Sequence, residues 1–273
     1  MGRKLGIVLS GGGARGAYQI GVLKVLKKHG VLENIHAISG SSVGSLNAVL
    51  LALGDLDKAK KLWFDISGKE MFKSDENIFK RVLHEGIDFV YEGMYPNKEL
   101  EKLIDATVDI NLLKSKKVFV ATSYVGDGKA TFWELMTVNI RNFFSKESLV
   151  RYSCVNEMDK EDVKRTLLAS CAIPIVFQPI VIGNKTYYDG GVLDNAPCQP
   201  LYDEGCDEVI VIDLFRFRRH KSKCPKEVEY HQIKPSKNLR GIMDFSKEQI
   251  ERRYELGVKD AEKFVKDYFE NQK

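Results

Sequence analysis

Two kinds of apolar pattern alternate along the first sixty residues. Leu5-Gly6-Ile7-Val8-Leu9 is an unbroken apolar run, which predicts a strand buried on both faces. After a glycine-rich stretch, Ser10 to Gly16, the residues Tyr18, Gly21, Val22, Val25 and Leu26 recur at helical spacing. Lys27, Lys28 and His29 suit the negative end of that helix, and Gly30 stops it. Ile35 to Ser39 predicts a second strand, and Leu46, Val49, Leu50 and Leu53 a second helix. Strand, loop, helix, strand, turn, helix is the order of a parallel α/β sheet.

Further on, Lys117 to Thr122 predicts a strand, with Ala130 to Glu134 as its hairpin partner across Gly126-Asp127-Gly128. Val163 to Ser170 predicts a helix closed by Ile173-Pro174. Ile180 to Ile182, Lys185 to Tyr188 and Glu208 to Leu214 predict strands. Ile250, Tyr254, Val258, Ala261, Val265 and Tyr268 predict a closing helix over about Phe245 to Phe269. Trp63 to Leu103 has helical periodicity without evident chemistry, and fits either a helical layer or a lid.

Composition narrows the class. A chain of 273 residues, 44% hydrophobic and 29% charged, supports one core, so residues 1–273 are expected to form a single domain. A net charge of +4 is too small to argue for nucleic acid as a partner. The five cysteines have no CxxC pair and no zinc spacing, which predicts free thiols in a reducing compartment. With no secretory signal pattern and no apolar stretch long enough for a bilayer, the expected location is cytoplasmic, with contact to a membrane surface as the variant to test. The basis for that variant is Arg216 to Lys226, basic and acid-free through Lys226, with Phe215 and Phe217 interleaved. A solvated loop is the competing reading of the same segment.

Three segments carry chemistry. Gly40-Ser41-Ser42-Val43-Gly44 is G-x-S-x-G between a strand and a helix, where a sharp turn lifts the central hydroxyl above the sheet edge. Gly11-Gly12-Gly13-Ala14-Arg15-Gly16 is a second strand-to-helix turn. Its small residues leave backbone N–H groups free to hold an anion beside a helix N-terminus. Gly11, Gly13 and Gly16 also match the dinucleotide pattern G-x-G-x-x-G. That pattern requires an acidic residue at the end of the second strand, and the strand here ends in Ser39, with Glu33 before it.

The third segment is Asp189-Gly190-Gly191. A serine nucleophile needs a base. Of the five histidines, His29 ends a helix, His36 lies inside a strand and His84 sits in the charged helical region. His220 and His231 follow in the order an α/β-hydrolase would use, but in polar, basic sequence. Asp189 acting directly on Ser42 is therefore the favoured pairing.

In this order the three segments resemble the patatin-like phospholipases, with their G-G-G-x-[RK]-G loop, G-x-S-x-G serine and D-G-[GA] aspartate. Ala169 to Pro174, and Tyr254 to Gly257 with Ala261, resemble further stretches of that family, so the likeness runs from about Lys4 to Val265. The resemblance implies a three-layer α/β/α sandwich with a mostly parallel central sheet. It implies hydrolysis of phospholipid or lysophospholipid acyl esters by Ser42 and Asp189, with Gly11, Gly12 and Gly13 forming the oxyanion hole. Arg15, Gly16, Gly40, Gly44, Gly190 and Gly191 support these motifs, Arg15 by holding a substrate anion or by anchoring the loop to a nearby acid. Neither a metal nor another cofactor is implied. The alternatives are a general carboxylesterase or thioesterase on the same fold, and a nucleotide-binding module using Gly11 to Gly16.

Overall fold

The computed structural model describes residues 3–66, 116–127, 149–173, 179–217 and 224–270, together with Leu100, Glu101, Ile104, Asp105, Leu113 and Phe177. Its strands are β1 (Leu5–Leu9), β2 (Ile35–Ser41), β3 (Lys117–Asp127), β4 (Val150–Cys154), β5 (Ile180–Ile182), β6 (Lys185–Asp189), β7 (Glu208–Ile212) and β8 (Glu229–Ile233). They form one eight-stranded sheet in the order β5-β6-β3-β2-β1-β7-β8, with β4 also paired to β3. The five strands from β3 to β8 along this order run parallel. β4, β5 and β6 add antiparallel pairings on the β3 side. β1 and β7 are buried along their whole length, as the apolar runs Leu5–Leu9 and Val209–Ile212 require, with Glu208 buried at the start of β7.

Strand alternation sends side chains to two cores. Ile7 and Leu9 of β1, with Ile210 and Ile212 of β7, join the larger core. It is capped by α1 (Ala17–Lys28), α2 (Val43–Ala52), α3 (Leu56–Ile66), α4 (Lys160–Cys171) and α6 (Lys247–Glu270). Val8, Val209 and Val211 point the other way, onto Leu201 of the short helix α5 (Gln199–Asp203). Helices therefore cover both faces of the central sheet. α1 and α6 meet through glycine: a Cβ on Gly21 would lie 2.2 Å from Tyr254 O, and one on Gly257 would lie 2.1 Å from Tyr18 O. Only backbone fits between these helices at that point.

Two expectations change, on the β3 hairpin and on the thiols. Gly126 and Asp127 lie inside the eleven-residue β3, paired with Thr186 and Lys185, so they are not a hairpin turn. The antiparallel partners of β3 are β4 and β6, supplied by distant sequence that local turn signals do not reveal; Ala130 to Glu134 lies outside the described residues. Of Trp63 to Leu103, residues 63–66 close α3, while 67–99, 102 and 103 lie outside the described residues. The free-thiol expectation fails for one pair: Cys198 and Cys224 form a disulfide within the smaller core, leaving Cys154, Cys171 and Cys206 free. Their separation of 26 residues is closed by the fold, which sets the two Cα atoms 5.4 Å apart.

Candidate active site

Ser42 stands between the last residue of β2 and the first of α2. Its φ of 53° and ψ of −132° are a strained conformation for a residue with a side chain. Tight packing enforces it. A Cβ on Gly44 would lie 2.1 Å from Leu9 O, and one on Gly40 would lie 2.4 Å from Gly44 O, so both motif glycines are sterically required. The Ser42 N–H donates to Ser170 Oγ at 2.9 Å, and that hydroxyl donates to Ala121 O at 2.7 Å. Ser45 Oγ donates to Ser42 O at 2.6 Å. The turn is thus fixed from β3, α4 and α2 together.

Asp189 ends β6 and reaches the same place from the opposite direction. Ser41 pairs with Ala121 of β3, and Asp189 pairs with the next residue, Thr122. Ser123 Oγ donates to Asp189 O at 2.9 Å. A Cβ on Gly190 would lie 2.2 Å from Ala121 O, so the residue after the aspartate has no room for a side chain. Asp189 Oδ1 accepts the Gly191 N–H at 2.7 Å, and the Ser42 side chain neighbours the same carboxyl. Burial pushes the Asp189 carboxyl up to about 6, against the opposing pull of the neighbouring Ser42 side chain and the Gly191 N–H.

The glycine loop faces this pair. Gly11 is gripped twice by Asn195: its N–H donates to Asn195 O at 3.1 Å, and Asn195 Nδ2 donates to Gly11 O at 3.3 Å. The Gly11 N–H is therefore occupied, unlike those of Gly12 and Gly13, which have no acceptor among the described residues. Gly13 has φ +55°, and a Cβ there would lie 2.3 Å from Ile242 O. Ala14 N–H donates to that same oxygen at 2.7 Å. A Cβ on Gly16 would meet the Trp63 ring at 2.5 Å.

Arg15 anchors the loop, though not to an acid. Its Nε donates to Arg240 O at 2.7 Å, and its guanidinium lies 4.8 Å from the centre of the Phe215 ring. Below it, Arg253 of α6 is fully buried and donates to four carbonyls, those of Ala14, Leu239, Gly241 and Asp244. It clamps the 239–244 segment under the glycine loop. The sequence offered a faint signal for Arg253, which interrupts the apolar face running through Ile250 and Gly257. Asn195 and Ser170 gave none as single residues, because their work is set by contacts 184 and 128 residues away.

An apolar pocket opens at Ser42 and Gly13 and runs between Leu46, Leu50, Leu62, Trp63, Leu167 and Phe245. No described histidine reaches it. His29 and His36 pair with Glu262 and Glu204, and His231 pairs with Glu208 and Glu229 at the opposite, N-terminal end of the sheet. His84 and His220 lie outside the described residues. β2 ends at Ser41 without a carboxylate, so the acid a dinucleotide site would use is missing from its usual place.

A strained serine stands at a strand-to-helix turn beside a buried carboxylate, at the carboxyl edge of a parallel sheet, the placement a nucleophile elbow would have. The family model for patatin-like phospholipase matches residues 7–202, which include all three motifs. The chain belongs to the patatin-like phospholipase family, and by class it is a lipid acyl hydrolase. It is 26% identical over 246 residues to the uncharacterized protein YqhO of Bacillus subtilis, covering 87% of this chain and 76% of that one. It is also 26% identical over 214 residues to lysophospholipase NTE1 of Cryptococcus neoformans, covering 78% of this chain and 11% of that much longer protein. Human GIVD cytosolic phospholipase A2 shares the fold, with a TM-score of 0.53 at 10% identity, over 94% of this chain and 58% of that one.

Proposed function

We propose that the chain hydrolyses acyl esters of phospholipids or lysophospholipids through a Ser42–Asp189 dyad. The observation that supports this is the strained Ser42 at the head of an apolar pocket, beside the buried carboxyl of Asp189. Asp189 takes the serine proton as Ser42 attacks the ester carbonyl, and the leaving alcohol departs with a proton returned by Asp189. Water then releases the acyl group from Ser42, with Asp189 again as base. The Gly12 and Gly13 N–H groups receive the oxyanion; Gly11 supports them from behind, because Asn195 occupies its own N–H. The pocket takes the acyl chain, and its apolar walls suit a hydrocarbon better than a polar head group.

The test is labelling and product analysis together. A fluorophosphonate should attach to Ser42, and Ser42→Ala and Asp189→Asn should each abolish release of fatty acid from phospholipid and lysophospholipid. Hydrolysis of short p-nitrophenyl esters or thioesters alone would favour the general esterase reading. A melting shift with NAD or ATP and no labelling would favour the nucleotide module.

Contact with an anionic membrane through Arg216 to Lys226 is a second proposal. Its support is Phe217, 86% exposed just past β7 at the end of the sheet where Ser42 stands, with the Arg216 guanidinium 5.2 Å from its ring centre. Arg218 to Lys223 lie outside the described residues. Unchanged binding of a Phe217→Ala, Arg216→Ala variant to anionic vesicles would defeat it.

A further inference from the structure

At the far end of the sheet from Ser42, three side chains converge that the acyl-hydrolase chemistry does not use. Glu208 begins β7 and pairs in register with Glu229, which begins the neighbouring strand β8. His231 lies two residues beyond Glu229, so the pleat puts it on the same face. The end of α6 closes over that face, with Tyr268 and Phe264 packed against the imidazole at ring-centre distances of 5.2 and 6.3 Å.

His231 Nε2 is 3.2 Å from Glu208 Oε1 and 3.2 Å from Glu229 Oε1. It is buried and satisfies hydrogen-bond geometry with neither. A buried ring nitrogen facing two carboxylate oxygens without a bond to either is costly. Two of the three separations approach those around a tetrahedral ion, and all three ligand atoms lie within 4.8 Å of one another. Bonds of 2.0–2.2 Å to nitrogen and oxygen separate ligand atoms by about 3.4 Å. The surrounding contacts hold the acids in place: Tyr268 OH donates to Glu208 Oε1 at 2.7 Å, and Arg3 pairs with the other oxygen of Glu229. A cleft lined by Arg3, Leu5, Ile35, Tyr268 and Phe269 reaches Glu208.

We propose that Glu208, Glu229 and His231 form a site for a zinc-type divalent cation, with solvent as the fourth ligand. The donor set of one imidazole and two carboxylates suits Zn(II) or Co(II) over the harder Mg(II). Glu229 and His231 lie on the edge strand β8, and Glu208 on its neighbour β7, so a bound ion would cross-link the two and secure the end of α6. The role is structural, remote from Ser42, and independent of the catalytic reading.

The experiment uses the full chain stripped of metal by a chelator, then titrated with Zn(II) calorimetrically and with Co(II) by visible absorption. The expected result is one saturable equivalent, four-coordinate Co(II) bands and a raised melting temperature. Glu229→Gln, at a half-exposed position that tolerates change, should weaken binding by about tenfold or more. His231→Ala should remove the Co(II) bands. No saturable binding, or binding unchanged in both Glu229→Gln and His231→Ala, would overturn the site. The first result would leave a charge cluster of Arg3, His231 and the glutamates, and the second would place the ion elsewhere, such as on the free thiols.

Discussion

Ser42 and Asp189 follow from strands that converge on one point of β3. β2 runs parallel to β3 and ends opposite Ala121; β6 runs antiparallel and ends opposite Thr122. The nucleophile candidate and the base candidate are therefore set by the register of two strand pairings, 147 residues apart in the chain as their numbers show. A one-residue slip of either pairing would turn its side chains to the other face and separate the two groups.

The carboxyl of Asp189 is pushed up to about 6 by burial, and only its ionised form accepts the serine proton. Ester hydrolysis should rise with pH through about 6 and then level off, with no second rise from a histidine. A pH–rate profile measured alongside His220→Ala and His231→Ala checks this. Loss of activity in either histidine variant with its melting temperature retained would assign the base elsewhere.

The same burial has a thermodynamic sign. Below the ordinary carboxylate value Asp189 is protonated in both the folded and unfolded chains. As pH rises toward 6 the unfolded chain loses its proton first, so stability falls, and the loss is complete above the folded value. Asp189→Asn removes that penalty. It should be more stable than the parent chain by about 1–3 kcal/mol at pH 8 and similar to it near pH 3. Urea unfolding at the two pH values measures the difference.

Ser42 is held at φ 53°, where a glycine is at ease and a residue with a Cβ is strained. Ser42→Gly and Ser42→Ala should both be inactive. The glycine variant should be more stable than the alanine variant by about 1 kcal/mol, less the greater freedom of glycine in the unfolded chain. Equal denaturant midpoints would mean that the turn is not strained.

Gly13 combines a positive φ with a carbonyl oxygen 2.3 Å from where a Cβ would stand. Gly13→Ala should push the loop off Ile242 and misplace the N–H groups proposed for the oxyanion. A fall in kcat of about 100-fold with the fold retained is expected. Activity close to that of the parent would remove the loop from the reaction.

Arg253 satisfies four carbonyls from full burial. Arg253→Met keeps the apolar stem and strands those oxygens, which should cost about 3 kcal/mol. Thermal unfolding gives the cost, and activity at low temperature shows whether the loop above it has also loosened.

Much of this was legible in the chain itself. The buried runs at Leu5–Leu9 and Glu208–Ile212 and the periodicity of Ala17–Lys28 and Lys247–Glu270 name their own elements, because strand and helix impose periods that burial writes into sequence. Ser42 and the glycines around it were legible for a related reason: a turn this tight admits few residues, so the sequence records the geometry. Tertiary structure decided what depends on distant segments meeting. It took Gly126 and Asp127 from a turn into β3, joined Cys198 to Cys224, and used the Gly11 N–H on Asn195 while those of Gly12 and Gly13 have no acceptor among the described residues. It also put Asp189 against Ser42. Local sequence fixes which conformations a segment favours, whereas hydrogen-bond partners and carboxylate burial exist only once the sheet has closed.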